Sequence, residues 1–250
     1  MRAVVQAYYL AAYYLSWLWF GLGGLLLNVV CALLLLWPRR EQLGHGVRSA
    51  IRWLFAFWLK WTHATGVFRV DWSGLDDAIL TPGTVYVANH PTLVDAPVLL
   101  SRLPDAICIF KPALLKNPVI APAAILAGYV SGDAGIDLIR GAAEQVSRGQ
   151  TLLVFPEGTR TGPGRALEPF KPGFALIAQR AHAPIRLISL HASPRLVARG
   201  RPWWKPPAFP CRLRVVSEEL LDVESGQSAN EIARLAEERL ASRASVVTTS

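Results

Sequence analysis

Sulfur is sparse in this 250-residue chain: Cys31, Cys108 and Cys211 are its only cysteines, odd in number, far apart and set in apolar surroundings. That excludes a disulfide scaffold and any zinc-type spacing, and it reads as buried free thiols in a reducing compartment. Acid is nearly missing from the first 70 residues. There seven cations (Arg2, Arg39, Arg40, Arg48, Arg52, Lys60 and Arg69) face Glu41 alone and supply six of the eight net positive charges. No internal repeat and no low-complexity tract is present. No nucleic-acid-binding motif accompanies the basic surplus, so no nucleic-acid partner is expected. The interleaving of the cations with Trp53, Phe55, Phe57, Trp58 and Trp61 suits the headgroup layer of an anionic membrane instead.

Charge of either sign is absent from Ala3 to Pro38, and Tyr8 to Trp37 is apolar apart from Ser16 and Asn28. This run exceeds a signal-peptide core and is long enough to cross a bilayer, which takes about 20 residues. As one helix it would outrun the roughly 30 Å hydrocarbon core, so it must tilt, break or lie partly in the interface. Gly21, Gly23, Gly24 and Asn28 mark the easiest place for a break. A second helical stretch, residues 47–64, mixes Arg48, Arg52 and Lys60 with aromatics, as an interfacial helix or one packed on the first. Residues 1–66 are therefore read as a two-helix membrane anchor and residues 67–250 as a globular domain. The cations after Trp37 put that domain on the cytoplasmic side by the positive-inside tendency.

From residue 66 onward, short apolar runs alternate with helical stretches. The runs at 66–72, 84–89, 106–110, 151–155, 185–190 and 212–216 read as strands. Helices are expected near 93–102, 117–128, 136–148 and 173–181, and a last helix opens on a capping box, Ser228 to Glu231. The pattern predicts an α/β fold with a mixed, largely parallel sheet flanked by helices. Residues 245–250 look frayed.

Two stretches carry candidate chemistry. In "NHPTLVD", His90 and Asp95 would point about 140° apart on one continuous helix and could not pair. Pro91 resolves this, because it favours an extended backbone at His90 and suits the first position of a following helix. Asp95 can then return toward the imidazole at a strand end, accept the Nδ1 proton and leave Nε2 free as a general base. The bland alternative is a strand-end histidine bonded to a carbonyl. The second stretch, "FPEGTRTGPGRALEPFKPG", follows an apolar strand with Gly158, Gly162, Gly164 and Gly173 among Arg160, Arg165 and Lys171. Such a turn can hold a phosphate or another anion, although a solvated basic loop would look similar.

Taken together, Asn89, His90 and Asp95, then "FPEGTR" from Phe155 to Arg160, then "FKPG" from Phe170, resemble the PlsC-like glycerolipid acyltransferases. That family includes the lysophosphatidic acid acyltransferases. Its H-x4-D motif precedes an F-P-E-G-T-R-S motif by sixty to seventy residues, and here His90 and Glu157 are 67 apart. The resemblance covers roughly residues 67–200. It implies acyl transfer from an acyl carrier protein or coenzyme A thioester to a lipid hydroxyl, with His90 as base and Asp95 orienting it. It also implies substrate binding by Asn89, Lys111, Glu157, Gly158, Thr159, Arg160 and Lys171. Neither a metal nor a cofactor is required, because the thioester is already activated. Membrane lipids and the acyl donor are the expected partners, a monomer the expected state and the bacterial inner membrane the expected location.

Three departures from the family pattern bear on the acceptor. The second block opens as "KPALLKNPVI", with Lys111 and Lys116, but no arginine closes it before Arg140. Thr161 replaces the usual serine, and the fourth block reads "PIRLISL", where Arg186 is expected to pair with a carboxylate rather than contact an acceptor headgroup. A different lipid acceptor (a glycolipid, an amino-acid lipid or a polyene lipid) is the alternative within this class. A noncatalytic membrane-binding protein is the alternative outside it, and the intact His90, Asp95, Glu157 and Arg160 argue against that. The stretch "RLVARGRPWWKPP" at 195–207 could meet a membrane or an acidic carrier protein, or simply be a loop with packed tryptophans. His45, His63, His182 and His191 are read as structural.

Overall fold

The computed structural model describes residues 2–75, 80–118, 120–132, 135–194, 199–221 and 226–246. Two helices open the chain, α1 (Arg2–Leu34) and α2 (Gly44–Ala64), joined through a 3₁₀ turn at Arg40–Leu43. Of the three possibilities, tilt, break or an interfacial path, the break is not the one taken: α1 runs through Gly21 to Asn28 unbroken for 33 residues. The Asn28 amide donates to the Gly24 carbonyl at 2.8 Å and accepts the Ala123 amide at 3.1 Å, so the polar side chain is satisfied within the helix and pins it to the domain. Gly23 serves an approach rather than a kink. A β-carbon there would come within 2.6 Å of Leu54 Cδ1 on α2.

Among the described residues, α1 is the one helix long and apolar enough to cross a membrane. A narrow stripe of it (Ala12, Tyr13, Ser16, Asn28 and Cys31) is buried, while most of its large apolar side chains are exposed. The Trp58 indole N–H donates to the Ser16 carbonyl and fastens α2 to α1. Both helices join the domain's core, with Tyr13, Trp58 and Leu59 in one apolar cluster with Phe68, Tyr86 and Leu213.

Among the described residues, seven strands form one sheet: β1 (Phe68–Gly74), β2 (Val85–Ala88), β3 (Ala106–Phe110), β4 (Val130–Ser131), β5 (Thr151–Val154), β6 (Ile185–Ser193) and β7 (Cys211–Leu221). Their order is β1-β7-β6-β2-β5-β3-β4, and every pairing is parallel except β6 with β7. Alternation along β2 separates two cores, as a pleated strand requires. Tyr86 and Ala88 face α1, α2 and α3 (Asp95–Leu100), whereas Val85 and Val87 face α6 (Gly135–Ser147), α7 (Gly173–Ala181) and α8 (Ala229–Val246). The largely parallel, helix-covered sheet expected from the sequence is present.

Two local readings change. The helix expected at 117–128 shortens to α5 (Ala121–Leu126), and a separate short α4 (Pro112–Leu115) precedes it, because a proline can open a helix but not extend one through its interior. The two-residue β4 was not anticipated, being too short for any periodicity. The capping box forms as read: Ser228 N–H and Oγ donate to Glu231, and the Glu231 amide donates back to Ser228 Oγ. Arg195 and residues 247–250 lie outside the described residues.

Candidate active site

Strand register explains why residues far apart in sequence converge. Val87 of β2 is opposite Val154 of β5, so His90 and Glu157 each lie three residues beyond one paired position. Cys108 of β3 is opposite Leu153, which brings Lys111 to the same edge. That edge is the carboxyl end of three adjacent parallel strands, where open α/β sheets place their ligands.

His90 Nδ1 lies 2.8 Å from Asp95 Oδ2. The helix does not begin at Pro91 as expected; residues 91–94 form a turn and Asp95 is the first residue of α3. The turn closes on Asp95 itself. Thr92 donates its amide to Oδ2 at 2.7 Å and its hydroxyl to Oδ1, so the carboxylate that opens α3 is held from the turn before it. With Asp95 fully buried and accepting on both oxygens, the carboxylate has one orientation. The imidazole stacks on Phe155 with centroids 4.3 Å apart and is 19% exposed, so it is both fixed and reachable.

Two residues expected to touch substrate turn inward. Asn89 is buried, its amide donating to the Leu190 carbonyl while its Oδ1 accepts the Leu190 N–H, which extends the β2–β6 ladder by a side chain. Glu157 is 4% exposed. Its Oε1 accepts the His90 amide at 2.7 Å, and Oε2 accepts both Thr161 Oγ1 and the Glu168 amide at 2.8 Å. Burial raises the Glu157 pKa above the ordinary carboxylate value, and these hydrogen bonds oppose that rise. Its carboxylate therefore braces the loop that faces the ligand. The Thr161 amide adds a further tie, donating to the His90 carbonyl at 2.8 Å.

The remaining candidates gather at the mouth of the site. A cavity of about 330 Å³ is lined by Phe110, Lys111, Phe155, Gly158, Lys171 and Phe174, among others. Lys111 and Lys171 are exposed at it, and neither is ion-paired with a described residue. Gly158 has φ +65°, and a β-carbon there would meet Lys171 Nζ at 3.1 Å, so glycine serves both the turn and the ammonium's approach. Thr159 and Arg160 follow, half-buried. The loop is closed by Glu168, which takes Arg165 at 2.6 Å and Arg199 at 3.2 Å.

Sequence reasoning missed Thr92, Phe155 as a stacking partner, and Glu168. The Thr-x-x-Asp spacing was the available signal for the first; the others depend on tertiary contact. Arg140 lies exposed on α6 beside Asp137, away from the cavity lining. Arg186 reaches the Ser217 hydroxyl at 3.5 Å rather than the carboxylate expected for it. Among the described residues, no cluster of histidine, cysteine and acid could hold a metal ion.

A reachable, carboxylate-held imidazole beside an apolar cavity with a cationic rim is the kind of site that acyl transfer to a hydroxyl uses. Residues 69–190 match the family model described as Acyltransferase. The chain is similar in sequence to known acyltransferases. It is 32% identical over 140 residues to a chloroplastic 1-acyl-sn-glycerol-3-phosphate acyltransferase of Brassica napus, covering 53% of this chain and 40% of the relative. It is also 32% identical over 163 residues to a lyso-ornithine lipid O-acyltransferase of Pseudomonas aeruginosa, covering 60% and 58%. Its matched segments thus span less than two thirds of these relatives. The crystal structure of the 1-acyl-sn-glycerophosphate acyltransferase PlsC from Thermotoga maritima shares the fold, with TM-score 0.72 over 100% of this chain and 99% of that one at 21% identity.

Proposed function

We propose that the protein moves a fatty acyl group from a thioester, on acyl carrier protein or coenzyme A, to the free hydroxyl of a lysophospholipid of the 1-acylglycerol-3-phosphate kind. The observation that carries this reading is the 2.8 Å contact between His90 Nδ1 and Asp95, which leaves Nε2 for the acceptor hydroxyl. As Nε2 takes the hydroxyl proton, the oxygen attacks the thioester carbonyl; the new C–O ester bond forms, the C–S bond breaks, and the imidazolium returns the proton to the departing thiolate. Asp95 stabilises the imidazolium that forms in between. Lys111, Lys171 and Arg160 supply positive charge for the acceptor's anionic group, while Gly158 and Thr159 shape the turn beside it.

The exposed face of α1 is proposed to lie against the membrane, which is where the acceptor resides. The cations that follow α1 support a catalytic face turned toward the cytoplasm of a bacterial inner membrane. An amino-acid lipid acceptor is the second reading. It is favoured by the likeness to the lyso-ornithine lipid enzyme and by the second block's lack of an arginine before Arg140.

The test is acyl transfer by the purified chain and its His90→Ala variant, offering lysophosphatidic acid and lyso-ornithine lipid with each donor. His90-dependent turnover of lysophosphatidic acid is the expected result. Turnover confined to lyso-ornithine lipid would move the protein to the second reading. Turnover by His90→Ala equal to that of the unaltered protein would defeat the mechanism.

A further inference from the structure

The segment 199–205, which the chemistry above does not use, is fastened directly to α1. Tyr13 donates its hydroxyl to the Trp203 carbonyl, and Tyr14 donates to the Trp204 carbonyl at 3.0 Å. The Trp203 ring lies 5.9 Å from Trp17. Although so anchored, Trp203 and Trp204 remain 46% and 57% exposed. On α1, Tyr14, Leu18 and Leu25 are spaced by four and seven residues, share one face and are all exposed. Trp204, held at Tyr14, extends that apolar face sideways from the helix onto the globular domain. Arg201 and Lys205 flank the tryptophans and are exposed. Two aromatic rings between cations match the boundary between lipid chains and anionic headgroups.

We propose that residues 199–205 form a second membrane-contacting element beside α1, with Trp203 and Trp204 entering the ester region of an anionic bilayer. The same loop touches the candidate active site from its other end. Arg199 holds Glu168, and the Glu168 amide bonds Glu157, which holds the His90 amide. The bilayer surface and the acceptor mouth are thereby kept in register by a short chain of contacts. An acidic carrier protein is the competing occupant. Continuity with the exposed face of α1, together with two unburied indoles, favours lipid.

The test needs no enzymatic turnover, so it stands apart from the proposed reaction. Cys31, Cys108 and Cys211 are buried, and burial pushes the Cys108 and Cys211 thiols up to about 12, which leaves a cysteine introduced by Trp204→Cys as the preferred target for a spin label. Ser147→Cys, exposed on α6 on the other side of the sheet, is the reference position. Both labelled proteins are bound to vesicles of phosphatidylglycerol and phosphatidylcholine, and label accessibility to oxygen and to a water-soluble nickel chelate is measured. The expected result is a shift at position 204 toward oxygen access and loss of nickel access, with position 147 unchanged. A label at 204 as open to nickel as the one at 147 would overturn the proposal. So would immobilisation by added acyl carrier protein with no response to vesicles, which would assign the surface to the carrier.

Discussion

The amide N–H of His90 donates to Oε1 of Glu157 over 2.7 Å, so the two motifs are joined through the backbone of the proposed base by a bond that does not use its imidazole. Glu157 then acts on position: it sets where the ring sits while touching no reacting atom.

Replacing Glu157 by Gln keeps the shape but sets an N–H₂ group against N–H donors. If the amide oxygen keeps the His90 amide, the amino group confronts the Glu168 N–H. A loss of stability of about 1–3 kcal/mol is expected, with a fall in kcat greater than any change in KM. The pH dependence supplies a separate check. Burial raises the Glu157 pKa on folding, so its contribution to stability is fullest below its unfolded value of about 4.3 and declines as pH rises through the folded value. The urea midpoint of the unaltered protein relative to Glu157→Gln should therefore fall as the pH is raised from below that value toward neutrality. A difference independent of pH would remove the carboxyl's burial from the explanation.

His90→Ala should lower turnover by about 10²–10⁴-fold while the far-ultraviolet circular dichroism and vesicle binding stay unchanged, because the role proposed for the ring is proton transfer. Asp95→Asn should fall in the same range, since it leaves no charge to stabilise the imidazolium. Near-normal turnover by either variant would exclude the pair as the base.

Thr92→Val removes the hydroxyl that fixes Asp95 Oδ1 but leaves the Thr92 backbone amide on Oδ2. A drop in kcat smaller than that of Asp95→Asn is expected, with rescue in Thr92→Ser. If serine failed to restore activity, the hydroxyl's contact with Asp95 would not be the reason for the loss.

Lys171→Ala and Lys111→Ala should each raise the KM for a phosphate-bearing acceptor with little change in kcat, because both cations line the cavity beside Gly158 and can bind ground state and transition state alike. The rise should shrink at high salt, as screening weakens exposed charges. An unchanged KM in both variants would take the lysines out of the acceptor site.

The α/β alternation, six of the seven strands, the long apolar first helix and the His90–Asp95 pair could all be read from the chain, since each rests on local chemistry. Strand periodicity, uncharged length and the effect of a proline on its neighbours act over a few residues. What could not be read was the direction in which polar side chains turn. Asn89 and Glu157 sit inside motifs that suggest ligand contact, yet both are buried as supports for the backbone around His90. The unbroken path of α1 was hidden for a similar reason, because Gly23 and Asn28 suggest a kink until Leu54 and Ala123 arrive as partners.

The sequence by itself determined which groups are available: an imidazole with a carboxylate five residues on, a glycine turn with cations, and an uncharged stretch that water alone would not accommodate. Only the tertiary structure decided which of these face a ligand and which face the protein. That choice depends on parallel register, which sets Val87 against Val154 and so brings residues 67 apart within hydrogen-bond distance. Register is a property of paired strands, and neither strand carries it alone.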